Sequence, residues 1–142
     1  MSNIYRNLTY ITITLLTYCI AVYLYAGFLV NHLGFYNKYA YQNSLFTSTI
    51  EFLIFLGLST FFLQKIIQKK WRILVGTFLY LIVLLVSFFN IAFSLRAEFG
   101  ATWTNMELLF ELVLFYKKTL PLLSVTAIIY YILLKFLRNE KI

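Results

Sequence analysis

The chain has 142 residues, 62% of them hydrophobic and 12% charged, with a formal net charge of +7. Soluble domains carry about 25% charged residues, so the composition excludes a water-soluble globular domain and points to a single integral membrane domain. The sequence holds no Asp, one Cys and one His, which excludes Ser-His-Asp catalysis, an internal disulfide and a Cys/His metal cluster.

In chain order, the first apolar run covers residues 8–30. It is longer than the roughly 7–15-residue core of a signal peptide and ends in bulky Phe28-Leu29-Val30, so it reads as a retained span. Cys19 within it reads as a small apolar filler. Residues 31–43 form the most polar stretch, where Gly34 and the asparagines suit an outer loop and the tyrosines suit a headgroup layer. His32 in that loop is alone, which argues against His-ligated metal or haem. A second apolar run follows at 45–63, then a basic loop, then a third run at 73–95.

The segment 96–118 is different. Thr104 and Glu107 have the spacing of a capping box, and a short, mostly apolar helix over about 105–116 is expected to lie on the outer face, with Glu107 and Glu111 on one side. Thr119-Leu120-Pro121 opens a last apolar run at 120–137. Each run is close to the roughly 20 residues a helix needs to cross the hydrocarbon layer. The expected fold is therefore all-α: a four-transmembrane-helix bundle with a short amphipathic helix outside. Gly27, Gly57 and Gly76, one to a span, are expected to let helices approach closely.

The basic residues mark helix ends rather than a nucleic-acid site. With four spans, the side receiving both tails and the 64–72 loop holds eight basic residues against four on the other. The positive-inside rule then puts both termini in the cytoplasm, with a bacterial plasma membrane as the expected setting and an organellar inner membrane as the other option. Lys65, Lys69, Lys70 and Arg72 carry most of this signal and form a patch that can also attract anionic lipid headgroups. Of the aromatic side chains, Tyr5, Tyr10 and Trp71 are expected in an inner belt, and Tyr25, Tyr36, Tyr39, Tyr41 and Trp103 in an outer one.

Glu51 is the one acidic residue inside an apolar run, about 9 Å below the outer end of its helix at 1.5 Å per residue. An ionisable group at that depth is costly unless partnered, which makes it a functional candidate. The second and third runs are joined by a short loop and should pair antiparallel. Level positions then share a constant index sum, set at 141 by pairing Leu45 with Arg96, and Glu51 falls level with Asn90. A Glu51–Asn90 contact is expected, with Ser48, Ser94 and a descending Arg96 as extensions. It can serve as a lock on hairpin register, as a proton or cation carrier, or as a contact to a partner's span.

Residues 69–109 read as a basic loop, an apolar span with Gly76 near its start and Asn90 near its outer end, then an aromatic-rich stretch with Arg96 and threonines. This resembles the N-terminal membrane region of lipoteichoic acid synthase-like sulfatases. That family's metal-bound phosphotransferase site lies in a large extracellular domain with no counterpart in these residues, so the resemblance implies a membrane module without catalytic residues. In size and composition the chain is also similar to small four-span immunity proteins against pore-forming bacteriocins.

Three functional readings follow. The first is a non-enzymatic protein that needs no cofactor and acts in the bilayer by helix-helix association with another membrane protein or with itself, as an accessory subunit or an immunity-type protector. The second is a small oligomeric ion-coupled transporter or channel using Glu51. The third is a membrane module partnering a lipid-processing enzyme.

Overall fold

The computed structural model describes residues 3–33, 38–65, 71–96, 104–114 and 116–139. Its elements are α1 (Asn3–Leu33), α2 (Lys38–Lys65), α3 (Arg72–Arg96), a single turn α4 (Asn105–Glu107) that continues as a π-helix (Leu108–Leu114), and α5 (Thr119–Asn139). No strand occurs among the described residues. Three helices are long and apolar enough to cross a membrane: α1 over Ile11–His32, α3 over Ile73–Arg96 and α5 over Thr119–Phe136. In α2 the apolar stretch is shorter, Leu45–Gly57.

Helices of this composition leave few polar groups, and several of the hydroxyls that do occur are satisfied within their own helix. Thr17 donates to the carbonyl of Ile13 (2.8 Å), Thr49 to Leu45 (2.9 Å), Thr77 to Ile73 (2.9 Å) and Ser124 to Leu120 (2.8 Å). Each is an i−4 bond that lets a polar residue sit on an apolar helix without an external partner.

The core is a set of helical stripes. On α1, Tyr18, Ala21, Val22, Tyr25, Ala26 and Leu29 are buried, a spacing of three and four that puts them on one face. On α3 the stripe is Tyr80, Leu84, Phe88, Ile91, Ala92 and Leu95. α1 and α3 each pack against both α2 and α5 and so form the middle of the bundle. Three aromatic pairs bolt the helices together: Tyr18 on Phe52 (centroids 4.2 Å), Tyr25 on Phe88 (4.1 Å) and Tyr80 on Tyr130 (4.3 Å). Each stack adds about 0.5–1.5 kcal/mol beyond area burial. The outer surface carries apolar rows of its own, such as Leu16, Ile20 and Leu24 on α1 and Phe78, Ile82 and Val86 on α3. Apolar rows of this length are rare on proteins surrounded by water and are compatible with a lipid environment.

Several expectations are corrected. The outer loop expected over 31–43 is largely helical: α1 runs to Leu33 and α2 already starts at Lys38. Asn and Gly favour turns there, but α1 and α2 extend up to either side of residues 34–37. Tyr25, assigned to an outer belt, is fully buried because it falls on the inward stripe of α1. Gly27 and Gly57 do not mediate close approach, since a Cβ added at either would meet nothing within 4 Å.

The outer helix is also different in kind. The capping box forms: Glu107 N donates to Thr104 Oγ1 (3.3 Å) and Thr104 N donates to Glu107 Oε2 (2.6 Å). After one turn, however, the helix widens into the π form, and Leu108, Leu112 and Val113 are buried. These residues join the same core as α1 and α3 instead of facing headgroups. Tyr25 Oη donates to the Leu112 carbonyl (2.9 Å), and Tyr116 Oη donates to the Phe28 carbonyl (2.9 Å). Both bonds tie residues 112–116 to α1. Glu107 and Glu111 are exposed.

Candidate functional site

α2 and α3 run antiparallel, and their seam carries the one acidic side chain of the apolar helices. Glu51 is half-buried and both its oxygens are engaged. Asn90 Nδ2 donates to Oε1, and Ser87 Oγ, one turn earlier on α3, donates to Oε2 at 3.0 Å. The register arithmetic places Asn90 level with Glu51; it does not reach Ser87.

The cluster continues onto a third helix. Tyr18 Oη of α1 contacts Ser87 Oγ and donates to the backbone carbonyl of Ser48 at 2.9 Å. Tyr18 is 1% exposed and Ser87 fully buried. One unbroken chain of polar atoms therefore links α1, α2 and α3: Asn90, Glu51, Ser87, Tyr18 and the Ser48 carbonyl. Tyr18 is held from the other side by its stack on Phe52, one residue after Glu51. A signal for it existed: a tyrosine deep in an apolar helix needs a partner for its hydroxyl.

The other expected members go elsewhere. Ser48 contributes its carbonyl, while its buried hydroxyl has no hydrogen-bond partner. Ser94 is exposed and donates to the carbonyl of Asn90 (2.8 Å), an ordinary i−4 bond. Arg96, expected to descend along the seam, turns outward. Its guanidinium donates to Asn105 Oδ1 (2.9 Å) and lies over the Phe93 ring (4.8 Å to the centroid). That choice has a simple cause: Asn90 and Ser87 already fill both carboxylate oxygens, and Arg96 lies about 9 Å along the axis from Asn90 at 1.5 Å per residue.

Tyr18 also lines a cleft of about 230 Å³ between α1 and α2, together with Cys19, Val22, Tyr23, Leu45 and Thr49. Cys19 is half-buried with a free thiol. His32 lies in the last turn of α1 with its ring 5.2 Å from that of Tyr116. Among the described residues no group of His, Cys, Asp and Glu is placed to hold a metal. Of the basic patch, Lys65 ends α2 and Arg72 opens α3, which places both at the same end of the hairpin. Lys69 and Lys70 lie outside the described residues.

The capped turn at Thr104 has its own electrostatics. Hydrogen bonds from the Thr104 backbone N–H and then its hydroxyl hold the Glu107 carboxyl below its ordinary value. The bonds favour the ionised form.

No family model, curated protein or solved structure matches this chain.

Proposed function

We propose that this chain is a four-span membrane protein, termini in the cytoplasm, that works without catalysis by associating through its helices with another membrane protein. An accessory subunit of a membrane complex and an immunity-type protector are the two forms this takes. The observation that carries it is the asymmetry of the bundle. The apolar window of α5 is 17% buried, against 44% for α1 and 39% for α3. Val125, Ile128, Ile129 and Ile132 leave a broad face of α5 outside the core, with Ser124 exposed beside them. Helix pairing between spans relies on van der Waals packing and occasional polar contacts, and α5 is the span with the most surface to offer. Glu51, by contrast, is occupied within the bundle, which suits a lock on the hairpin.

In this arrangement α2 crosses with the help of that lock, because its short apolar stretch is supported by Asn90 and Ser87 at Glu51. The test is purification of the tagged protein from its native membrane in mild detergent, with the mass of the complex determined. A stoichiometric second protein, lost when Ile128 and Ile132 are changed to Trp, is expected. A clean homo-oligomer overturns the reading.

A second reading, a small oligomeric ion-coupled transporter, is favoured by one feature: the polar cluster meets the α1/α2 cleft at Tyr18. Flux in reconstituted vesicles, abolished by Glu51→Leu, would establish it.

A further inference from the structure

The cleft between α1 and α2, about 230 Å³ in volume, is larger than a packing gap. An apolar cavity of about 150 Å³ already takes up benzene. Its depth decides what can reach it. The apolar span of α1 is Ile11–His32, and at 1.5 Å per residue Cys19, Val22 and Tyr23 lie within about 4 Å of its middle. On the other wall, Thr49 lies about 3 Å from the middle of the apolar stretch Leu45–Gly57 of α2. In a bilayer both walls sit deep in the ~30 Å hydrocarbon layer, where the molecules at hand are lipid chains.

The walls ask for an apolar occupant. Tyr18 Oη is engaged by the Ser48 carbonyl and by Ser87, and Thr49 Oγ1 donates to the Leu45 carbonyl at 2.9 Å. A hydroxyl has one hydrogen to give, so neither has one left for a ligand. The Cys19 thiol is a weak donor that packs as a small apolar group. Val22 and Leu45 complete the lining with nothing polar. Tyr23 is 58% exposed, so it forms the rim and the cleft opens on the outside of the bundle. That side of α1 also carries the exposed Leu16, Ile20 and Leu24, a surface suited to hydrocarbon.

We propose that the α1/α2 cleft binds one acyl chain of a membrane lipid, laid against Val22, Leu45 and the Tyr18 ring. A chain there makes dispersion contacts that the walls otherwise lack on one side. Recognition is of the hydrocarbon and not of the headgroup. The inference needs α1 and α2 to lie in a bilayer. It does not need a partner on α5, so either can fail without the other.

Photolabelling of the full chain, purified without any partner, tests it. The protein is reconstituted in phosphatidylcholine vesicles doped with a phosphatidylcholine that carries a diazirine near the methyl end of one chain, and labelled residues are mapped by mass spectrometry. Labelling within 18–23 and 45–49 is expected to exceed several-fold that of Phe78, Ile82 and Val86, an exposed row on α3. Cys19→Phe fills the cleft and should bring the labelling down to the α3 level. Equal labelling of the cleft and the α3 row in the wild type marks boundary lipid only and overturns the proposal. Excess labelling that persists in Cys19→Phe also overturns it. Should Cys19→Phe fail to fold, Thr49→Leu replaces it, with loss of the excess expected and its persistence again contradicting the proposal.

Discussion

Replacing Glu51 and Asn90 by Leu, singly and together, measures the lock between α2 and α3. Glu51→Leu strands two donors, the Asn90 amide and the Ser87 hydroxyl. Asn90→Leu strands one acceptor, Oε1. A buried polar group left without a partner costs about 1–3 kcal/mol. Both residues are half-buried, so the lower part of that range applies: about 1 kcal/mol for Asn90→Leu and about 2 for Glu51→Leu. The double substitution removes both ends of one bond and leaves Leu against Leu, so it should cost less than the singles combined. Interhelical hydrogen bonds in a bilayer average about 0.6 kcal/mol of coupling and reach about 1.7. The assay is reversible unfolding in bicelles for the four species of the cycle. Additivity within about 0.3–0.5 kcal/mol is the mark of independent sites; that result would refute the lock.

Four further outcomes are expected. Tyr25→Phe keeps the stack on Phe88 but deletes the bond to the Leu112 carbonyl, so stability should fall by about 1 kcal/mol in the same unfolding assay. Gly27→Ala should raise stability by about 0.5–1 kcal/mol, because the added methyl meets open space and the helix no longer carries a flexible glycine; a loss of stability would show a helix packed there after all. Tyr130→Leu should cost at least the stack with Tyr80, about 0.5–1.5 kcal/mol, by the same measurement. The Glu107 carboxyl, held low by Thr104, stabilises the capped turn at all pH above its unfolded value. That contribution should disappear as pH falls through the lower folded value, and amide exchange at 105–107 should lose this acid dependence in Thr104→Ala.

How far the sequence reveals this molecule differs between its parts. Hydropathy marks the helices because a long apolar run has few alternatives. Thr104 and Glu107 are legible as a cap because the box is local, with both partners three residues apart. Asn90 can be matched to Glu51 because a short loop fixes the α2/α3 register. Tyr18 could not be placed this way: it lies on α1, whose register against α2 depends on residues 34–37 and on packing of the Phe52 stack. The rotation of each helix was equally hidden. Tyr25 has the depth of a belt residue but the facing of a core one, and only the assembled stripes separate the two. The π turn over Leu108–Leu114 carries no sequence signal of its own; burial of Leu108, Leu112 and Val113 against α1 and α3 fits it to the bundle.

The partner face on α5 is tested most directly by photo-crosslinking in the native membrane. A photoreactive residue is placed at Ile128 or Ile132 of α5 and, for comparison, at Phe78 or Ile82 of α3; all four positions are exposed. The account predicts one discrete adduct with a second, different protein from the α5 positions and lipid adducts alone from α3. Lipid adducts alone from both helices, or an adduct of twice the chain's mass, would contradict it.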